Sequence, residues 1–332
     1  MESENLTYYD GTAPPFKVYG LVRGGSGRLQ RLPDNIKTNV NEGVTELADY
    51  TAGGRVRFRT DSAVVSVAVV PLHGNIPVNM SLIGMTGCDI YADGVYRQTV
   101  RPLAEGGEYE ESLEKEPTEA DIEINLPLYN GVTGLKIGLT KNAAVGDAAP
   151  YAGGPILFYG SSITQGSSAS RPGNAYTSIV SRRLKRDHIN LGFSGSGRGE
   201  AIVAEYIGGL ELGAFVMDYD HNAPDAEHLS RTHEAFFKIV RSMRPLLPVL
   251  FISKPDTDRD PSSGERRDII YKTYTNAKNA GDTRVYFIDG GTLFGGADRD
   301  ACTVDGSHPN DLGFMRMADV ITPVLKNIFA GG

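Results

Sequence analysis

The chain has 332 residues, of which 40% are hydrophobic, and it contains 40 glycines. This length predicts two domains with packed cores, and the glycine content predicts tight turns and β structure rather than a helical bundle. The formal net charge of −8 argues against nucleic acid as a partner, because a phosphate-binding face usually carries a basic excess.

The cysteines and the N-terminus bear on cofactors and location. Cys88 and Cys302 are too few and too far apart for a disulfide framework or a thiolate zinc site, and we expect no metal and no cofactor. The N-terminus lacks the basic start and apolar run of a signal peptide, and no segment is long enough to span a membrane. We therefore expect a soluble, cytoplasmic protein with no membrane partner. Secretion with a leader outside the given sequence stays open, as does assembly into a homo-oligomer.

In the first part of the chain, apolar residues alternate with the period of two that is typical of β-strands. Three such runs lie at 65–69, 122–126 and 135–139. Asp93-Gly94 separates two further β-prone runs, and an Asp-Gly pair there predicts a hairpin because both positions need positive φ. Nothing in this part has helical spacing over more than a turn. We predict an antiparallel, jelly-roll-like β-sandwich in residues 1–145.

From Pro155 onward, continuous apolar strands alternate with amphipathic helices, after a linker rich in Ala and Gly at 143–154. This alternation predicts a parallel sheet covered by helices on both faces, with right-handed crossovers. We therefore expect a flavodoxin-like, three-layer α/β/α domain in residues 150–332. The predicted strands are 156–159, 189–191, 214–217, 249–252 and 285–288, and the predicted helices are 175–184, 202–207, 229–243 and 312–321.

Polar or glycine-rich turns follow the first three strands of this domain, at 160–166, 192–197 and 218–222. In an open parallel sheet, ligands bind beyond the carboxyl ends of the strands, near the point where the strand order reverses. If the order is 2-1-3-4-5, the first strand lies between the second and the third. The three turns then converge on one crevice, where we expect the functional site.

Four short motifs in this domain resemble, in order, the conserved blocks of the SGNH (GDSL-like) hydrolases. They are Gly160-Ser161-Ser162-Ile163, Asn190-Leu-Gly-Phe-Ser-Gly195, Asp220-His-Asn222 and Asp305-Gly-Ser-His308. The resemblance implies a nucleophilic serine at 162 and a catalytic triad completed by His308 and Asp305. It also implies an oxyanion hole formed by the N–H groups of Ser162 and Gly195 and by the side-chain amide of Asn222.

The match to the family pattern has two departures and one extension. Ser161 stands where the family has Asp, and Asp220 and Ala223 stand where the third block has Gly and Asp. The segment Gly87-Cys-Asp-Ile-Tyr91 is similar to the Gly-x-Asp-Leu-Tyr motif of a bacterial branch with an N-terminal β-domain. Asp89 and Tyr91 are expected to hold that domain together or to pack it against its neighbour, rather than to do chemistry.

The resemblance implies a carboxylic ester hydrolase that works through an acyl-enzyme. A serine hydroxyl needs an adjacent base, so His308 would take its proton while Asp305 orients the imidazole. Similarity to two-domain carbohydrate esterases implies a small acyl group, acetyl, on a carbohydrate or other small-molecule ester. An acyltransferase or a lipase-like acylhydrolase with the same triad stays open, as does a carbohydrate-binding protein on an inactive hydrolase scaffold.

Each candidate residue also has an interpretation without chemistry. Ser162 suits a helix cap, with Ser161 as the competing nucleophile, and Asn222 suits an Asx turn before a proline. Gly195 is an ordinary glycine for a loop between a strand and a helix, and His308 an ordinary loop histidine. Substrate contacts are predicted at Ser161, His221 and Arg198.

Overall fold

The computed structural model describes residues 5–74, 80–255 and 260–331. The first part of the chain is built mainly from strands. They are β1 (Leu6–Asp10), β2 (Lys17–Tyr19), β3 (Val22–Arg23), β4 (Leu29–Gln30), β5 (Arg55–Thr60), β6 (Val64–Pro71), β7 (Cys88–Ala92), β8 (Val95–Val100), β9 (Tyr109–Glu114), β10 (Ala120–Asn125), β11 (Val132–Thr140) and β12 (Val145–Gly146).

These strands form the predicted antiparallel β-sandwich. One sheet has the order β1-β11-β6-β9, and the other has the order β12-β5-β10-β7-β8 with β2 beside β5. The alternating apolar residues of the sequence fill the space between them, and Val67, Ile122 and Ile137 are fully buried there. The predicted hairpin joins β7 to β8, with φ of 51° at Asp93 and 77° at Gly94.

Three short helices of the first part were not predicted, because none is long enough to show helical periodicity. They are α1 (Asp34–Lys37), α2 (Glu42–Leu47) and α3 (Leu82–Thr86). Two of them begin at side-chain caps: Asn41 accepts a hydrogen bond from the N–H of Val44, and Ser81 accepts one from that of Gly84. Such caps are preferred helix starts and were visible in the sequence.

The second part of the chain alternates strands and helices, as predicted. Its strands are β13 (Ile156–Gly160), β14 (His188–Gly192), β15 (Ala214–Asp218), β16 (Val249–Ile252) and β17 (Val285–Ile288). Its helices are α4 (Ser162–Gln165), α5 (Tyr176–Leu184), α6 (Ala201–Gly208), α7 (Ala226–Met243), α8 (Ser263–Asn279) and α9 (Asp311–Ala330). Helix α8 was not predicted, because its buried positions include Arg266 and Thr273 and form no apolar stripe.

The five strands of this part form a parallel sheet in the order β14-β13-β15-β16-β17, which is the order 2-1-3-4-5 on which the expected crevice depends. Alternate residues of β13 enter different cores: Phe158 packs with α5 and α9, and Tyr159 packs with α6 and α7. The fold is therefore the predicted three-layer α/β/α arrangement, with β13 between the strands that precede the other two polar turns.

The packing of the two parts is continuous. Leu32, Ile36, Val44 and Ala48 belong to the core that contains Tyr159. A second group from the first part packs on the opposite face of the parallel sheet: Ala52, Met85, Leu128 and Tyr129. The boundaries at 145 and 150 stay a prediction, but the second part does not complete either core by itself.

Candidate active site

The turn after β13 carries two adjacent serines with different surroundings. Ser161 is the N-cap of α4, where its Oγ accepts a hydrogen bond from the N–H of Ile163 at 3.2 Å, and the residue is 1% exposed. Ser162 is the first residue of the helix, and its Oγ lies 3.0 Å from Nε2 of His308. The capping role considered for Ser162 thus falls to Ser161, whose hydroxyl is not brought to the protein surface.

His308 connects this serine to a carboxylate. Its Nδ1 lies 2.7 Å from Oδ2 of Asp305, whose Oδ1 accepts the backbone N–H groups of Ser307 and His308 at 2.9 and 2.8 Å. Burial raises the pKa of Asp305, but these hydrogen bonds outweigh it and place the pKa below its usual value. The carboxylate is therefore ionised at neutral pH and can stabilise a positive charge on His308.

The loop that carries Asp305 and His308 is closed by its own backbone. Thr303 and Pro309 form an isolated β-bridge, and the N–H of Val304 donates to the carbonyl of His308 at 2.9 Å. Asn310 then caps α9 by accepting the N–H of Gly313 at 3.1 Å. The imidazole is thus carried by a short loop that is fixed to the start of a long helix.

Two of the three predicted oxyanion donors, Gly195 and Asn222, are already engaged in hydrogen bonds. The N–H of Gly195 donates to Oδ1 of Asn222 at 3.1 Å, and Nδ2 of Asn222 donates to the carbonyls of Phe193 and Gly197 at 2.7 and 3.0 Å. Gly195 has φ of +65°, and a Cβ there would meet no atom within 4 Å. The space above it is therefore open, and an oxyanion that used its N–H would have to displace Asn222.

The other two predicted substrate contacts, His221 and Arg198, have contrasting settings. Burial lowers the pKa of His221 to about 3, an effect increased by the positive charge of Lys254, so its ring is neutral. Its Nε2 is buried without a hydrogen-bond partner among the described residues. Arg198 is exposed, and its Nε and Nη2 donate to the carbonyl of Gly195 at 3.0 and 2.8 Å.

Asp220, a departure from the family pattern, anchors the third motif. It is 1% exposed, and its Oδ2 accepts the N–H of Lys254 at 2.9 Å. Arg266 of α8 lies 3.3 Å from Oδ1 of Asp220 and also donates to the carbonyl of Ala223 at 2.6 Å. The carboxylate thus ties the turn that carries Asn222 to the end of β16 and to α8.

The first part of the chain contacts the turn that carries Ser162. The hydroxyl of Tyr129 donates to the carbonyl of Ser162 at 3.3 Å, and Nε2 of Gln165 donates to the carbonyl of Leu128 at 3.1 Å. Oε1 of Gln165 accepts the N–H of Ser194 at 3.0 Å, which joins the turn to the loop after β14. Sequence reasoning missed Tyr129, because the contact joins residues that are far apart along the chain.

A buried arginine, Arg31, contacts the end of β14 and the loop that follows it. Arg31 is 1% exposed, donates to the carbonyls of Gly192 and Leu47, and lies 4.5 Å from the centre of the Phe193 ring. Burial lowers the pKa of Arg31 to about 9, so the guanidinium remains charged at neutral pH. Sequence reasoning missed this residue, which lies in an otherwise ordinary segment of the first part.

Among residues 5–74, 80–255 and 260–331, no group of three or more His, Cys, Asp or Glu side chains is arranged to hold a metal ion. No helix in these ranges has the length and apolar character needed to cross a membrane. Cys88 and Cys302 are both buried and unpaired.

The parallel sheet of order 2-1-3-4-5 brings a serine, a histidine and an aspartate into contact at its carboxyl edge, where open α/β sheets bind their ligands. The chain belongs to the GDSL-like lipase/acylhydrolase family, whose model matches residues 154–326. Residues 6–145 match the GxDLY N-terminus of SGNH-hydrolase-type esterases. The predicted resemblance is therefore confirmed, and the protein is a carboxylic ester hydrolase of this family.

Solved structures show the same two-part architecture. A protein from Bacteroides ovatus described as a GDSL-like lipase is 28% identical, with 98% of each chain covered and a TM-score of 0.88. A salicylyl-acyltransferase from a tetracycline biosynthetic pathway is 20% identical over 95% of each chain, with a TM-score of 0.78. An acetyl xylan esterase from Butyrivibrio proteoclasticus is 13% identical, with 98% of this chain and 99% of that chain covered and a TM-score of 0.63. No curated protein matches the chain in sequence.

Proposed function

We propose that the protein is a serine esterase that removes a small acyl group, acetyl, from a carbohydrate, with Ser162, His308 and Asp305 as its catalytic triad. The observation that carries the proposal is the unbroken contact from Ser162 Oγ to His308 Nε2 and from His308 Nδ1 to Asp305 Oδ2. An ionised Asp305 favours the Nδ1–H tautomer, which leaves Nε2 free to accept the serine proton.

The reaction follows from these positions. Ser162 Oγ attacks the ester carbonyl carbon while its proton passes to Nε2 of His308, which gives a tetrahedral intermediate. The intermediate collapses with loss of the alcohol, which takes the proton from Nε2 and leaves the acyl group on Ser162. Water then gives its proton to Nε2, attacks the acyl-enzyme and releases the carboxylic acid, with the proton returning to Oγ.

The N–H of Ser162 is the first oxyanion donor of this proposal. It begins α4, and the described residues show no hydrogen bond from this group. Gly195 and Asn222 are the second and third donors. The N–H of Gly195 contributes once its hydrogen bond to Oδ1 of Asn222 opens, and the Asn222 amide contributes once Nδ2 releases the carbonyl of Phe193 or Gly197. Each such donor is typically worth roughly 100- to 1,000-fold in rate.

The substrate class is inferred from the neighbouring structures, because an acetyl xylan esterase shares the two-part architecture. The polar setting of the site is consistent with a hydroxyl-rich alcohol, since the neutral His221 ring and the exposed Arg198 lie in the turns that carry Asn222 and Gly195. An acyltransferase is the second candidate, because the salicylyl-acyltransferase has a TM-score of 0.78 to this chain, whereas the acetyl xylan esterase has one of 0.63.

The first test is hydrolysis of p-nitrophenyl acetate by the native protein and by Ser162→Ala. We expect the variant to lose roughly a thousand-fold or more in kcat, whereas Ser161→Ala, the matched control in the same turn, should retain most activity. Full activity in Ser162→Ala would overturn the triad.

The second test addresses the substrate. Acetate release from a panel of acetylated sugars, compared with esters of longer acids, should favour acetate on a sugar. Preference for long acyl chains would exclude the small-acyl proposal. Acyl transfer to an added alcohol that outpaces hydrolysis would favour the acyltransferase.

A further inference from the structure

A single segment touches the nucleophile turn, the β-sandwich and the helix that follows His308. It comprises residues 167–174, between α4 and α5, and is called the bridging segment here. It begins at the nucleophile, because the N–H of Ser167 donates to the carbonyl of Ser162 at 2.9 Å. Its far end is held from two sides by buried or partly buried carboxylates.

The first carboxylate is Asp89 of β7, in the segment that resembles the Gly-x-Asp-Leu-Tyr motif. Asp89 is fully buried, and its Oδ2 accepts hydrogen bonds from Nη1 of Arg171 and from the N–H of Gly173, both at 2.8 Å. Its Oδ1 accepts Nδ2 of Asn125 at 2.8 Å. The carboxylate thus meets three donors, two of them from the bridging segment, so the β-sandwich fixes the position of this segment.

The fit around Asp89 leaves no room for a side chain at residue 173. A Cβ on Gly173 would lie 2.5 Å from the hydroxyl of Tyr91 and 2.7 Å from Oδ2 of Asp89. Nη1 of Arg171 also donates to that hydroxyl at 2.6 Å, and its guanidinium lies 4.0 Å from the centre of the Tyr96 ring. The motif in β7 therefore binds the bridging segment, which agrees with the expectation that Asp89 and Tyr91 pack the first domain against its neighbour.

The second carboxylate is Asp311, the first residue of α9 and the third residue after His308. It accepts the N–H of Ser170 at 2.9 Å and also the Ser170 hydroxyl. It further accepts Nδ2 of Asn174 at 2.8 Å. All three donors belong to the bridging segment, so the start of α9 is bound to the same eight residues that continue from Ser162.

We propose that Asp311 is a positioning residue: it holds the His308 loop at hydrogen-bonding distance from Ser162 through the bridging segment, which Asp89 anchors to the β-sandwich. The inference rests on the proposed triad and deepens it. Ser162 Oγ and His308 Nε2 lie 3.0 Å apart and belong to two different loops. The Asp311 contacts form a second link between the same loops. A misplacement of about 1 Å between reacting groups can cost roughly 100-fold in rate.

The test compares Asp311→Asn with Asp319→Asn on p-nitrophenyl acetate. Asp319 lies on the same helix and pairs with Arg183 of α5 at 2.8 Å, away from the bridging segment. We expect Asp311→Asn to lower kcat by roughly 10- to 100-fold with KM changed by less than about two-fold. Asp319→Asn should leave both constants near the native values.

A double-mutant cycle identifies the link itself. Ser170→Ala removes the hydroxyl that Asp311 accepts, so it should lower kcat less than Asp311→Asn does. The double variant should be no slower than Asp311→Asn alone, because both changes break one link. Labelling of Ser162 by a small fluorophosphonate should slow in parallel, since it reports nucleophile activation and not sugar binding.

The outcomes separate the two proposals. An active Ser162→Ala would overturn the triad itself. An inactive Ser162→Ala together with native kcat in Asp311→Asn would overturn the positioning role alone, as would an equal loss of kcat in Asp319→Asn or additive losses in the double variant. Asp89→Asn should lower kcat in the same direction, with a larger drop in Tm because Arg171 loses its buried partner.

Discussion

The two sides of the proposed catalytic pair are built differently. Ser162 is 8% exposed and lies on a turn that Tyr129 and Gln165 connect to the β-sandwich and to the loop after β14. The side chains of His308 and Asp305 are 31% and 30% exposed, on a loop closed mainly by its own backbone. We infer that the nucleophile is fixed by packing between distant segments, whereas the base is fixed by local hydrogen bonds and by the start of α9.

The largest expected effect is on the base side. Asp305→Asn keeps the shape of the side chain but removes the charge that selects the His308 tautomer, so we expect kcat to fall by roughly 10,000-fold with Tm nearly unchanged. Steady-state kinetics and a thermal melt measure this. Asp300→Asn, in the same connection before α9, serves as the control and should keep native kcat. A large fall in Tm together with the loss of kcat would contradict the inference that His308 and Asp305 are fixed by local hydrogen bonds.

On the nucleophile side, the expected effect is on pH-dependent stability. Burial raises the pKa of Asp218, whose Oδ2 accepts the hydroxyls of Tyr176 and of Thr164 in α4, from 3.8 to about 7. The folded state therefore keeps this proton more tightly than the unfolded chain does, and stability falls as pH rises between about 4 and 7, by at most about 4 kcal/mol. Asp218→Asn should flatten that decline in denaturant titrations at several pH values.

The stability difference between the native protein and Asp218→Asn should depend on pH. At pH 8 the native carboxyl is ionised in a buried site, so Asp218→Asn should be the more stable protein there. At pH 4 the native protein should equal or exceed the variant. An identical pH profile for the two proteins would show that Asp218 is ionised without cost.

A smaller effect is expected at Arg31, beneath the loop that carries Gly195. Arg31→Met keeps the apolar stem against Phe193 but leaves the carbonyls of Gly192 and Leu47 without this donor. We expect a loss of about 2 kcal/mol in the free energy of unfolding, because one buried and one partly buried acceptor lose a partner while a buried charge is also removed. Arg28→Met, an exposed change three residues earlier, should leave stability near native.

The smallest expected effect is at Tyr129. Tyr129→Phe removes only the hydroxyl that donates to the carbonyl of Ser162, and the ring stays in the core. The change should cost about 1 kcal/mol of stability and lower kcat by no more than about ten-fold. A loss as large as that in Asp305→Asn would show that the nucleophile depends on one contact rather than on shared packing.

The parts of the molecule that could be predicted are those with a repeating or local signal. The period of two predicted β6, β10 and β11, and the alternation of strands and helices predicted the parallel sheet with helices on both faces. The resemblance of four motifs to the SGNH blocks brought Ser162, Asp305 and His308 together as a predicted group, and the structure places these side chains in contact.

The supports of the site could not be predicted, because their signals lie in pairs of distant residues. Arg31 contacts a carbonyl 161 residues away, and Asp311 contacts a serine 141 residues away. Nothing in the local sequence of either residue indicates such a partner. The mutual hydrogen bond of Gly195 and Asn222 was missed for another reason: the motif indicates which groups are present and not which of them bond to each other.

The sharing of both cores between the two parts of the chain has a consequence for biosynthesis. Leu32, Ile36 and Val44 are synthesised before the second part of the chain, and their apolar side chains stay uncovered until the residues that share their core have been translated. A fragment starting at residue 150 would have the opposite defect: the apolar surfaces of its α/β part that the first part of the chain covers would be exposed. Inheritance of the two parts as one gene segment is thus favoured by packing itself, since neither part can be exchanged without changing the interior of the other.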